Sequence, residues 1–205
     1  MSESRESRER PRASGRRPLA ARERSSVPGE AGCVPGERAY VPGTSSGRGS
    51  PRTKAASGPA VAIGADHGGF NLKESLKTYL QEDLGVNVKD VGTHGRESVD
   101  YPDFAIAVAR AVASGECEKG IVIDTMGIGS SIAANKVRGA RAALCHDVAT
   151  ARNSRGHNDA NVLALGSQVV SPGNARRIVR EWLATPFEGG RHARRVQKII
   201  DAEGG

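Results

Sequence analysis

From Ala60 to the C-terminus, short apolar runs alternate with stretches in which apolar residues recur every three or four positions. The runs at Ala60–Ala65, Val86–Val91, Gly120–Asp124, Ala140–Leu144 and Asn161–Leu165 have the length and content of buried strands. Between them lie amphipathic patterns such as Leu72, Leu76, Tyr79, Leu80 and Ile106, Ala109, Val112, Ala113. Such β-α repetition predicts an α/β domain, a five-stranded parallel sheet wound with helices on both faces. Pro172 opens a helix running to about Ala184, and Arg191 to Ala202 forms a last, basic helix. Ligands of such folds collect beyond the carboxyl ends of the strands, so each polar cluster below is expected there.

The 205-residue chain carries a formal charge of +7, most of it at one end. Residues 1–58 hold 12 Lys/Arg against 6 Asp/Glu, which leaves +1 for residues 59–205. The N-terminal stretch is rich in Arg, Ser, Pro and Gly, repeats Val-Pro-Gly at 27, 34 and 41, and has no apolar periodicity. It reads as a disordered, solvated extension of a single domain at 59–205, or as a mis-assigned start. Glu3, Glu6, Glu9 and Glu23 argue against a transit peptide, and no apolar stretch there suits a secretory signal. The nearly neutral domain offers no electrostatic argument for nucleic acid. Cysteines at 33, 117 and 145 fit neither a disulfide framework nor metal spacing, and no run suits a membrane span. A cytoplasmic setting is expected.

Residues 119–136 read as a strand ending in Asp124, a glycine turn, and a helix. Gly127 and Gly129 permit positive φ and close approach, while the first amides of the helix lack intrahelical partners. An oxyanion or phosphate would be stabilised there, although a plain strand-to-helix connection uses the same pattern. Asp66-His67-Gly68-Gly69 repeats the logic after the first strand, with a helix-capping Asp66 as the simpler alternative. Asp100-Tyr101-Pro102 supplies an acid and a ring that could face a sugar or cover the core. His157-Asn158-Asp159 offers a group titrating near neutrality, an amide and a carboxylate. Arg191 shares a helical face with Arg194 or Arg195, a geometry suited to a phosphate or to a solvated basic surface.

Taken together, Gly64–Phe70, Asp100-Tyr101-Pro102, Gly127-Ile128-Gly129 with Ile132–Lys136, His157–Val162 and Glu188–His192 resemble, in order, signatures of a known family. It is the ribose-5-phosphate isomerase B and galactose-6-phosphate isomerase group, and the resemblance covers residues 60–203. It implies a Rossmann-like sheet, a homodimer or tetramer with active sites shared between subunits, and interconversion of an aldose phosphate and a ketose phosphate without metal or other cofactor. By resemblance, Asp66 and Tyr101 contact the sugar, His67, Arg191 and Arg195 hold the phosphate, and His157 opens the furanose ring. Asn158 and the amides around Gly127, Gly129, Ser130 and Ser131 would hold the enediolate oxygen, as donors aimed at developing charge do in general.

The chain departs from that pattern at the base. Many family members carry a cysteine where this chain has Asp124, and a second branch uses a glutamate where it has Ser130. Asp124 is therefore the expected base, ionised at neutral pH without activation. Thr125 and Met126 replace a Gly-Thr pair, and Gln168 replaces a phosphate-assisting arginine. The leading expectation is ribose 5-phosphate isomerisation; a four- to six-carbon sugar phosphate of another kind, or a binding homologue without catalysis, would keep the same scaffold.

Overall fold

The computed structural model describes residues 60–203. The expected extension at 1–58 lies outside the described residues. Five strands form one all-parallel sheet: β1 Ala60–Ala65, β2 Val88–Asp90, β3 Cys117–Asp124, β4 Ala142–Leu144 and β5 Val162–Gly166. Their order is β2-β1-β3-β5-β4. Among the described residues six α-helices connect and follow them: α1 Phe70–Thr78, α2 Tyr101–Ala113, α3 Ile128–Ala134, α4 Val148–Asn158, α5 Pro172–Ala184 and α6 Arg191–Ala202. A π-helical turn at Tyr79–Asp83 extends α1.

Alternation along the central strands divides the core. Val61, Ile63, Ala65, Ile121, Ile123, Leu163 and Leu165 face α1, α4 and α5, where Leu72, Leu76, Ile178 and the fully buried Trp182 complete a large-residue layer. Ala62, Val122, Val162 and Ala164 face α2 and the end of α3, through small side chains. On that side Gly64 and Gly120 let α2 approach closely, since a Cβ at either would lie 2.9 or 2.5 Å from a methyl of Val108. The buried stripe of α2 is Ala105, Val108, Ala109 and Val112. This corrects the expected stripe, because Ile106 is only half-buried and Ala113 is exposed. An alanine-rich helix offers little apolar contrast, so its phase is set by what it meets rather than by its own pattern.

Edge protection has a specific device on β4. The Asn135 side chain accepts from Ala142 N and donates to Ala142 O, both at 2.8 Å, standing in for a neighbouring strand. At the other end of the sheet order, β2 closes on a buried ion pair. Lys73 has no exposed side-chain surface and its Nζ lies 2.8 and 2.7 Å from the two Asp90 oxygens. Asp90 Oδ1 also accepts from Gly92 N at 3.0 Å, fixing the first turn of the segment that leads to Tyr101.

Candidate active site

The strand order reverses between β1 and β3, so the loops that follow them leave the sheet side by side. After β1, Asp66 is buried and its Oδ1 accepts from Gly69 N at 2.9 Å. The glycines behind it are steric requirements. A Cβ at Gly69 would sit 2.4 Å from Ile123 O, and one at Gly68 would sit 2.4 Å from Thr125 Oγ1. His67 is exposed, with Nδ1 3.3 Å from both the N and the O of Val99. Tyr101 opens α2, 40% exposed, and its ring lies over Gly129, where a Cβ would come within 2.6 Å of it.

The turn after β3 contains the anion-binding geometry expected of it, already occupied by the chain's own carboxylate. Gly127 takes φ 81° and caps α3. Asp124 is 5% exposed; Oδ1 accepts from Met126 N at 2.7 Å and from Gly127 N, and Oδ2 accepts from Ser130 N at 2.9 Å. Ser131 N bonds to Gly127 O within the helix. Of the amides between Gly127 and Ser131, only those of Ile128 and Gly129 therefore remain for another oxygen, a correction to the wider donor set expected from sequence. The Ser130 hydroxyl is buried and has no hydrogen-bond partner among the described residues.

His157, Asn158, Arg191 and Arg195 lie elsewhere. His157 and Asn158 end α4 and precede β5, and in a parallel sheet that position is the amino end of the strand. Gly166, at the other end of β5, is the residue in register with Asp124. With about 3.3 Å per strand residue, the two groups stand roughly 13 Å or more apart within one chain. The expectation that every polar cluster falls at the carboxyl ends is thus corrected. The order of the segments contained the signal, since a residue just before a parallel strand cannot reach that strand's far end.

At the amino end the His157 and His192 rings stack, with centroids 4.1 Å apart and planes 10° from parallel. His157 Nε2 lies 3.5 Å and His192 Nε2 3.7 Å from Glu188 Oε2. Burial, then the neighbouring His157 and Arg191, hold the His192 imidazole below its ordinary pKa, with Glu188 opposing. Ligand atoms of the three residues fall within 4.8 Å of one another. Parallel stacked rings nevertheless send their in-plane lone pairs side by side, not toward one point, which does not suit a common metal ion. Arg191 and Arg195 are exposed on successive turns of α6 beside this cluster. Asn158 turns its amide back to Asn153 O at 3.4 Å. Asn153 was not singled out by sequence, although it precedes His157 by one helical turn's spacing of four, and Glu188 and His192 entered only as the ends of a signature, with no role given to either.

The sequence profile described as Ribose/Galactose Isomerase matches residues 61–199. Ribose-5-phosphate isomerase B of Escherichia coli (strain K12) is 50% identical over 143 residues, covering 70% of this chain and 95% of that protein. D-erythrulose-4-phosphate isomerase of Pectobacterium atrosepticum is 43% identical over 141 residues, covering 68% and 92%. The solved structure of ribose-5-phosphate isomerase B from Clostridium thermocellum superposes with a TM-score of 0.70 at 56% identity, over 71% of this chain and 97% of that one. With the sheet order, the five signatures and these likenesses in agreement, the chain belongs to the ribose/galactose isomerase family and is an isomerase of that type.

Proposed function

We propose that this protein interconverts an aldose phosphate and a ketose phosphate, with ribose 5-phosphate and ribulose 5-phosphate as the preferred pair, in sites completed by a second copy of the chain. The observation that carries the reading is the separation of two half-sites at opposite ends of β5. One holds a carboxylate and free amides, the other an imidazole and guanidinium groups, and neither set is sufficient for the reaction. In a two-fold dimer each carboxyl-end half-site would meet the partner's amino-end half-site, and symmetry would make both sites at once. Met126, Ile128 and Ile132 are 47%, 53% and 57% exposed next to the Asp124 loop, an apolar surface suited to such contact.

In the completed site Asp66 and Tyr101 bind sugar hydroxyls, while His67 and the pair Arg191 and Arg195 bind the phosphate. His157 assists ring opening, in which the ring oxygen gains a proton as the anomeric hydroxyl loses one. Asp124 then takes the proton from the carbon beside the carbonyl and returns it to the neighbouring carbon. Its Oδ2 accepts only one amide, so a lone pair remains for that transfer. The amides of Ile128 and Gly129, with Asn158, stabilise the enediolate oxygen.

Incubation of the full chain with ribose 5-phosphate in deuterated water should yield ribulose 5-phosphate and label the transferred position. No turnover on any four- to six-carbon sugar phosphate would refute isomerisation. Thr125, Met126 and Gln168, together with the D-erythrulose-4-phosphate isomerase relative, favour including four-carbon substrates in that panel. Binding of a sugar phosphate without deuterium incorporation would instead identify a non-catalytic homologue.

A further inference from the structure

His157 is constrained on both ring nitrogens. Asn153, one turn earlier on α4, places Nδ2 2.8 Å from His157 Nδ1. An amide NH₂ is a donor only, so this contact requires a lone pair on Nδ1. The amide's orientation is set from its other side, because Asn153 Oδ1 lies 3.5 Å from Asn158 Nδ2, which also reaches Asn153 O. Turning the Asn153 amide over would bring its NH₂ against that of Asn158. The remaining ring nitrogen, Nε2, faces Glu188 Oε2 at 3.5 Å, a group that can only accept while ionised. His192 covers one face of the ring, and Arg191 Nε donates to His192 Nε2 at 3.4 Å, which leaves that nitrogen unprotonated.

We propose that Asn153 and Glu188 hold His157 as the neutral tautomer with its proton on Nε2, and so act as positioning residues for the ring-opening step. The catalytic half of this inference rests on the role of His157 given above; the tautomer does not. The resting imidazole then offers an N–H, not a lone pair, to an incoming oxygen. Glu188 is 57% exposed and at the long end of contact, so a sugar ring oxygen can replace it as the acceptor without a buried carboxylate being stranded. The neighbouring His192 ring, buried beside Arg191, adds no positive charge to the stack. Sequence alone could not have assigned this, because the spacing of four puts Asn153 near His157 without saying which amide atom faces the ring.

Long-range ¹H–¹⁵N NMR of the full chain labelled in histidine reads the tautomer directly, since protonated and unprotonated imidazole nitrogens resonate far apart. Wild-type protein above the histidine titration range should show the proton of His157 on Nε2. Asn153→Asp replaces the donor with an acceptor and should move the proton to Nδ1. Asn153→Leu removes the donor and leaves Glu188 alone to favour the proton on Nε2, so Nε2–H should remain the major tautomer but no longer the sole one. Asn153 is exposed, so neither change threatens the fold. A wild-type proton on Nδ1, or an unchanged tautomer in Asn153→Asp, overturns the proposal. For catalysis, Asn153→Asp should lower kcat about tenfold on ribose 5-phosphate, less than the loss expected when a general acid–base group itself is removed. It should leave a four-carbon sugar 4-phosphate, which cannot close a furanose ring, within about twofold of wild type. Equal losses on both substrates would overturn the positioning role while the NMR result stands. No turnover of either substrate by wild type would refute the isomerase reading and leave the tautomer to be judged by NMR alone.

Discussion

The two ends of β5 carry the same kind of polar chemistry but are built from different material. At the carboxyl end, Asp124 is held by the amides of Met126, Gly127 and Ser130, all within six residues of it. At the amino end, His157 is held by side chains from α4, from the segment before α6 and from α6 itself. A site made of contiguous backbone is fixed as soon as the turn forms. A site made of side chains from three segments forms only when the helices dock.

The largest effect is expected for Asp124→Asn, which should reduce isomerase turnover about 10³-fold and abolish deuterium incorporation from solvent. Substantial residual exchange would remove Asp124 from the role of base. His157→Ala should also be nearly inactive on a furanose substrate. When the two inactive variants are unfolded together and refolded as a 1:1 mixture, shared sites predict recovery of about a quarter of wild-type activity, because half the dimers are mixed and each has one intact site. A site confined to one chain predicts no recovery, so this measurement decides whether the ends of β5 cooperate across subunits.

Two stability changes compare the supports beneath the two ends. Lys73→Ala strands part of the Asp90 charge in a buried setting and should cost about 3 kcal/mol in denaturant unfolding. Asp159→Asn breaks the half-exposed pairs with Arg141 and Arg155 and should cost only about 1 kcal/mol. Equal costs would mean that the carboxyl end is not the more rigidly founded of the two.

The smallest effect concerns acid. Burial alone would raise the Asp90 pKa, but hydrogen bonds from Lys73 and Lys77 outweigh it and hold the group at about 2, against an ordinary 3.8. Because the folded-state value is the lower one, this contribution is complete above about pH 4 and is lost as the pH falls through about 2. Asp90→Asn should flatten the stability-versus-pH curve across that window. Lys77, raised by Asp90 and Glu74, works in the opposite sense and loses its contribution as pH climbs through its folded pKa above 10.5.

Legibility followed the same division. All five strands were readable from apolar runs; β1, β3 and β5 are buried on both faces and need no contrast with solvent, while the half-buried β2 and β4 are short edge strands. Their ends shifted by a few residues, as at β2, where Val86 and Asn87 lie outside the ladder. The phase of α2 was not readable, since alanines allow several faces and Gly64 and Gly120 decide which one seats. The glycine turn was legible as an anion site, but its occupant was not. Nothing in the order Asp-Thr-Met-Gly-Ile-Gly says whether the carboxylate projects toward a ligand or folds back on its own amides.

The parallel sheet and the turn at 124–131 are legible in the residues alone, because periodicity and short-range backbone chemistry are written contiguously. Folding alone decided that Asp124 occupies three of the turn's amides, and that α6, which follows β5 in the chain, returns Arg191 to the amino end beside the His157 and His192 stack. The physical reason is that a parallel sheet sends every strand the same way. Residues just before a strand and residues just after it are therefore held at opposite ends of the sheet.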